Sequence, residues 1–379
     1  MEVRGVVLSA AIAAALLVTA ASAVSASADP GAAAPGSVIA VGALTDGGHP
    51  AGAAVERRIT YWSTGPQDQP VRTTGRVFLP AGSPPPGGWP IISWHHGTVG
   101  LAATCAPSTS NSDSGDEDFL SWWLTHGYAV VATDYAFYGD PGVAAYLDGH
   151  SEAHNAIDIV RAARAAEPSL SNSWLAAGHS QGGHAVLFTA ALAPVYAPEL
   201  DYRGAIALAP ANHLTEQFAV LGNPATPTPP ELLPQADMLA KILRGLSVAR
   251  PEFDPGPYLT PHGAQYVADN GRLCPAELFQ KYHGITFAQL LAAPVATGDF
   301  PATAAPVLDI PLTGYQRPVF IGQGLADTLV QPNLTDATVA QLRVNNQPVT
   351  YRTYPATHLT IPTAAAADAL GFADSQLGR

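Results

Sequence analysis

Charge is scarce in this sequence. Asp, Glu, Lys and Arg make up 12% of its 379 residues, about half the soluble-protein average of roughly 25%. The charge present leans acidic: 17 basic residues against 30 acidic ones give a formal net charge of −13. Such a chain repels polyanions, which argues against nucleic-acid binding. Cysteine is nearly absent, with two residues, Cys105 and Cys274. That number is too small for a disulfide scaffold or a zinc cluster. The sequence has no His-Glu-x-x-His and no Cys-x-x-Cys, so no metal site is expected. No Gly-x-Gly-x-x-Gly or phosphate loop opens the first strand–helix units, so no nucleotide cofactor is expected either. Beyond the N-terminus no run is long and apolar enough to span a bilayer, and no transmembrane segment is expected.

Apolar side chains, by contrast, reach 47% and aromatics 8%, which excludes disorder for most of the chain. The length allows one large domain or two ordinary ones, with a core that needs no staple. The 35 glycines and 35 prolines indicate many loops. At the N-terminus Arg4 precedes an apolar stretch from Gly5 to Ala20, followed by Ala21-Ser22-Ala23 and Ala26-Ser27-Ala28. A basic start, a short apolar run and an Ala-x-Ala site make residues 1–28 a secretory signal peptide, with cleavage after Ala28 favoured over Ala23. The mature protein is expected to be soluble and exported. Two cysteines in an oxidising compartment are expected to pair.

Residues 29–54 read as a flexible leader rich in Ala, Gly, Pro and Ser. From Val55 the texture changes. Arg58–Trp62 and Thr74–Leu79 read as antiparallel strands, and Pro90–Trp94 as a buried strand ending in His95-His96-Gly97. Helices over Phe119–His126, Ser151–Ala166 and Ala185–Tyr196 then alternate with strands over Tyr128–Thr133, Ser173–Ala177 and Gly204–Leu208. Apolar strands alternating with helices predict an α/β fold with a doubly wound, mostly parallel sheet. The rhythm breaks near 211. Residues 211–310 offer no good strand, but they carry an apolar helical stripe (Met238, Leu239, Ile242, Leu243, Leu246) and a second helical region over 275–293. Pro318–Ile321 then restores the alternation. The reading is a core of 55–210 and 311–379 with 211–310 inserted as a helical cap, or lid, over the C-terminal edge of the sheet.

Gly178-His179-Ser180-Gln181-Gly182 stands between a strand and a helix. This is the Gly-x-Ser-x-Gly nucleophile elbow, which holds a strained serine above the sheet. A serine nucleophile needs a base, and the base needs an orienting carboxylate, in the chain order Ser, Asp or Glu, His. Asp327 follows the penultimate strand. His358 follows the last strand and is the only histidine after residue 283. Asp336 is the rival acid, but it falls inside the next helix. The oxyanion hole needs two backbone donors. One is Gln181 N–H; the other comes from His95-His96-Gly97-Thr98-Val99-Gly100, with Thr98 preferred and Val99 the alternative. His95 and His96 read as hydrogen-bonding supports for this loop. His184 and Asp134 read as packing or supporting residues.

At these positions the sequence resembles the secretory lipase family, lipase A-like members of the α/β-hydrolase superfamily. The resemblance covers most of the chain after about residue 55. Its pieces are His96-Gly97-Thr98-Val99-Gly100 leading to Cys105-Ala106-Pro107-Ser108, Gly127 to Tyr135, Tyr146-Leu147, Asp158 to Ala162, Gly178 to Ala185, and Gly271-Arg272-Leu273-Cys274-Pro275. It implies an α/β-hydrolase core, a helical lid, hydrolysis of lipid esters, a triad of Ser180, Asp327 and His358, and a Cys105–Cys274 disulfide.

The combined expectation is a secreted serine carboxylester hydrolase, a triacylglycerol lipase or esterase that meets apolar esters at a lipid–water interface. The alternatives are a peptidase of the same fold and a catalytically silent binding protein.

Overall fold

The computed structural model describes residues 1–2, 34–45, 48–109, 116–137 and 142–379. The signal peptide expected over 1–28 lies outside these residues, apart from Met1 and Glu2. Among the described residues, nine strands form one sheet in the order β1-β2-β3-β5-β4-β6-β7-β8-β9. They are β1 (Val38–Ala43), β2 (Ala53–Thr64), β3 (Pro70–Pro80), β4 (Trp89–His95), β5 (Ala129–Ala136), β6 (Leu170–His179), β7 (Asp201–Leu208), β8 (Val319–Gly324) and β9 (Val349–Tyr354). β1 to β3 run antiparallel to their neighbours, and the pairs from β5 through β9 are parallel.

The core helices are α1 (Glu117–Thr125), α2 (Gly149–Ala166) and α3 (Gln181–Tyr196). Between β7 and β8 lie α4 (Leu214–Leu221), α5 (Leu233–Ala249), α6 (Pro261–Asn270), α7 (Pro275–Tyr282), α8 (Phe287–Leu290) and α9 (Phe300–Leu308). The chain ends with α10 (Pro332–Val344) and α11 (Ile361–Leu377). The mostly parallel sheet with a helical insertion expected from the sequence is borne out.

Every residue of β4 and β5 is buried, because helices cover both faces of the sheet. Such strands read as continuous apolar runs and not as alternating ones. On one face Ile157 and Val160 of α2, Val186 and Leu187 of α3, and Leu342 of α10 pack with Ile91 and Trp174. On the other, Phe119 and Trp123 of α1 and Ile361 and Ala369 of α11 pack with Trp94 and Phe320. A third cluster joins the insertion to the core: Leu239, Ile242, Leu243 and Leu246 gather there with Phe287, Leu290 and Leu291 and with Leu101, Tyr146 and Ala185. The apolar stripe of α5 and the second helical region expected over 275–293 thus contribute to one buried cluster.

Part of the stretch 29–54, expected as a flexible leader, is built into the sheet. Val38–Ala43 forms the edge strand β1, pairing Val41 with Ile59, and β2 already begins at Ala53. All six residues of β1 are exposed. Its backbone is held by a ladder on one side only, so no buried face imposed a readable pattern. The insertion also holds more helices than the apolar stripe and the second helical region announced. α4, α6 and α9 have 8, 10 and 9 residues, too few turns to display a clear period.

Candidate active site

The C-terminal ends of the parallel strands converge, and in open α/β sheets the crevice there is the usual binding place. β6 delivers Ser180, β8 delivers Asp327 and β9 delivers His358.

Ser180 is the residue between β6 and α3. Its backbone stands at φ 59°, ψ −118°, a conformation that costs an L-residue of order 1–3 kcal/mol. Hydrogen bonds hold it there: Ser180 N–H donates to Leu208 O at 2.9 Å, and Ser180 O accepts from His184 N at 3.0 Å and Ala211 N at 3.2 Å. The neighbouring glycines are required by space. A Cβ on Gly178 would stand 2.5 Å from Gly182 O, and one on Gly182 would collide with the His95 carbonyl. The sharp turn leaves the serine side chain at the mouth of the helix, where free N–H groups and the helix dipole favour negative charge.

His358 Nε2 lies 2.9 Å from Ser180 Oγ, and His358 Nδ1 lies 2.7 Å from Asp327 Oδ2. The carboxylate sets the tautomer: Nδ1–H donates to Asp327, which leaves Nε2 to accept a hydrogen bond from the Ser180 hydroxyl. Asp327 is itself anchored. Its Oδ1 accepts the N–H groups of Leu329 at 2.9 Å and Val330 at 2.8 Å, and its Oδ2 accepts from Gln323 Nε2 at 3.3 Å. Ala326 N–H donates to Ala356 O at 2.9 Å, tying the aspartate loop to the histidine loop. His358 is buried to 8% exposure and Asp327 to 4%. Asp336, the rival acid, sits on α10 and accepts from Tyr351 OH at 2.7 Å.

Gln181 is the first residue of α3 and is buried. The β4 loop comes beside Ser180: a Cβ built on Gly97 would stand 3.8 Å from Ser180 Cβ. Thr98, next in the loop, bonds through Oγ1 to Tyr146 OH at 2.8 Å. Val99 is buried in the cluster that joins the insertion to the core. Cys105 and Cys274 are bonded, joining the segment after this loop to the residue that precedes α7.

The supporting histidines divide. His96 Nδ1 meets Gly97 O at 2.6 Å, in keeping with a loop support. His95 does not take that role: it is fully buried, and neither ring nitrogen has a partner among the described residues. As the last residue of a central strand it packs over Gly178, and burial with the nearby His96 pushes its pKa down to about 3. His184 is buried and bonds through Nε2 to Leu308 O at 2.9 Å. Asp134 is buried and accepts from Ser108 N at 2.9 Å and Thr74 Oγ1 at 2.5 Å.

One contact at the site had no signal in the sequence. His179, in the variable position of the elbow, donates from Nε2 to the carbonyl of His358 at 2.8 Å. Only the fold brings these residues together. Among the described residues, no group of three or more His, Cys, Asp and Glu is disposed to hold a metal ion, and no helix is long and apolar enough to cross a membrane.

The family model described as secretory lipase matches residues 107–258. A "Lipase A" of Moesziomyces aphidis is 31% identical over 169 residues, which is 41% of this chain and 35% of that protein. This chain is similar to the secretory lipases. The match thus spans about a third of the fungal lipase's own length. In structure, the secretory-lipase-like chain superposes on Candida antarctica lipase A in its closed state with a TM-score of 0.70 at 21% identity, covering 90% of this chain and 82% of that one. It also superposes on the rice cell wall degrading esterase LipA from Xanthomonas oryzae, with a TM-score of 0.74 at 20% identity, covering 90% and 100%. The architecture is that of an α/β-hydrolase.

Proposed function

We propose that this chain is an exported serine carboxylester hydrolase of the lipase type, working through an acyl-enzyme on Ser180. The observation that carries the reading is the unbroken line of hydrogen bonds from Ser180 Oγ to His358 to Asp327, at 2.9 and 2.7 Å. Ser180 Oγ attacks the ester carbonyl while His358 Nε2 takes its proton. The N–H groups of Gln181 and Thr98 hold the oxyanion. His358 returns the proton to the leaving alcohol, then activates water to release the acid. Asp327 stabilises the imidazolium and does not take its proton. No cofactor enters this chemistry.

Three features support the substrate class and the compartment. Leu325 and Leu359, beside Asp327 and His358, are large apolar residues with 60% and 83% exposure. They favour an apolar ester and brief contact with a lipid–water interface. The helical insertion over 211–310 serves as the cap. The disulfide favours an oxidising compartment and therefore export.

The test is Ser180→Ala, assayed on p-nitrophenyl esters of short and long acyl chains. Turnover should fall by roughly 10⁶-fold with the fold intact, and fluorophosphonate labelling of the wild type should map to Ser180. Activity within tenfold of wild type would place the nucleophile elsewhere. Faster turnover of peptides than of esters would favour a peptidase.

A further inference from the structure

Beneath the elbow lies a carboxylate that the proposed reaction does not use. Glu152 is buried to 2% exposure. Burying a carboxylate is costly unless charge and hydrogen bonds compensate. Its place in the first turn of α2 supplies part of that compensation, since a helix N-terminus favours negative charge. Asp148 caps the same turn by accepting Ser151 N–H at 3.0 Å, so the glutamate rises from a fixed backbone. An apolar side chain would fill the space more cheaply. The glutamate's contacts supply a reason for it.

One oxygen, Glu152 Oε1, accepts two hydrogen bonds. Gln181 Nε2 donates at 2.7 Å, and Leu147 N–H donates at 3.0 Å. The first bond holds the side chain of the residue whose backbone N–H is one proposed oxyanion donor. The second holds the backbone of Leu147, a left-handed residue at φ 60°, next to Tyr146. The Tyr146 hydroxyl meets Thr98 Oγ1 at 2.8 Å, and Thr98 is the other proposed donor. Tyr146 is also wedged from behind: a Cβ on Gly245 of α5 would stand 2.6 Å from Tyr146 N. Two short chains of contacts therefore leave a single carboxylate oxygen and end at the two halves of the oxyanion hole.

We infer that Glu152 is a positioning residue for the oxyanion hole, fixing Gln181 directly and Thr98 through Leu147 and Tyr146. It touches no substrate atom. It sets where two N–H donors sit, and donor placement is worth much: a displacement of about 1 Å can cost about 10²-fold in rate. The inference deepens the ester-hydrolase reading and rests on it.

The experiment compares Glu152→Ala, Glu152→Gln, Tyr146→Phe and the Glu152→Ala/Tyr146→Phe double variant, with Ser180→Ala as control. Three quantities are read for each: kcat and KM on a p-nitrophenyl ester, and the inhibition constant of a trifluoromethyl ketone, which forms an oxyanion on the serine. Glu152→Ala should lower kcat roughly 10- to 100-fold and weaken the ketone in proportion, with KM nearly unchanged. Glu152→Gln keeps an acceptor oxygen and should recover most of the loss. Tyr146→Phe should show a smaller loss of the same kind, and adding it to Glu152→Ala should cost less than about twofold more, because residues on one path are not additive. A folded Glu152→Ala with unchanged kcat, or with KM and ketone affinity moving together, overturns the inference. So does an additive double variant. If Glu152→Ala does not fold, Tyr146→Phe decides alone: unchanged ketone affinity overturns the inference. An active Ser180→Ala control would instead refute the ester-hydrolase reading itself.

Discussion

His179 and His358 lie ring against ring, with centroids 4.7 Å apart, while His179 Nε2 donates to the His358 carbonyl. The proposed base is thus held twice from the elbow, once by a tilted ring contact and once through its own backbone. Burial and the nearby His358 push the His179 pKa down to about 3, so the clamp is uncharged at working pH. A charged imidazole here would repel the imidazolium that the proposed reaction forms on His358. His179→Phe keeps a ring and removes the donor. We expect kcat to fall about tenfold with little change in KM, the mark of a base misplaced in the transition state. Equal change in both constants would show that His179 serves binding instead.

Asp327→Asn tests the tautomer. The amide fills the same space, and its oxygen can still accept the Leu329 and Val330 N–H groups that now go to Oδ1. Its nitrogen, facing His358 Nδ1, would be a donor and would turn the imidazole to the wrong tautomer. We expect kcat to drop by about 10⁴-fold with stability close to wild type. A drop of less than tenfold would point to another carboxylate as the partner of His358.

The fold was legible where burial imposes a repeating pattern. β4 and β5 lie under helices on both faces, so their runs of apolar residues were unmistakable. The elbow was legible because strand, turn and helix are contiguous, and its glycines answer to local crowding. Asp327 and His358 were reachable because each follows a strand end in a fixed order. β1 was not, since none of its side chains is buried. The bonds from His179 to His358 and from Glu152 to Gln181 were not either. They join residues 179 and 29 positions apart, and a contact between distant segments leaves no periodicity in either one. His95 shows the reverse failure: its neighbour His96 does brace the loop, but the last residue of a buried strand faces packing instead of loop.

His95 gives the pH dependence a sign. Its folded pKa of about 3 lies well below the ordinary 6.5. Between these values the unfolded chain binds a proton that the folded chain refuses. Its contribution is therefore full above pH 6.5 and is lost as pH falls towards 3. His154 and His179 act in the same sense, lowered by burial to about 4 and about 3, while Asp148 and Asp158 act oppositely because burial raises each to about 6, so the wild-type profile mixes them. His95→Leu isolates the histidine. Melting temperatures between pH 7.5 and 4.5 should fall less steeply in the variant, by up to about 1.4 kcal/mol of stability per pH unit. Identical slopes would mean that His95 takes up its proton in the fold.

The disulfide should link stability to the loop that carries Thr98. Cys105 and Cys274 are 169 residues apart in sequence. Closing a loop of that length in the unfolded chain is worth up to about 5 kcal/mol in the chain-entropy account. The bond also sits against the loop that carries Thr98: a Cβ on Gly100 would stand 3.0 Å from both Cys105 Sγ and Pro275 Cδ. Gly100 has φ 106°, a conformation that glycine takes without strain. Losing the bond should therefore loosen the insertion and the loop together. We expect Cys105→Ser/Cys274→Ser to melt well below the wild type and to lose ester turnover at temperatures where its helical content is still intact. Reducing agent should reproduce the effect in the wild type and leave the double variant unchanged. Thiol titration of the denatured, unreduced protein should find no free cysteine. If the variant melts with the wild type, the bond is dispensable and the packing around Gly100 holds the loop unaided.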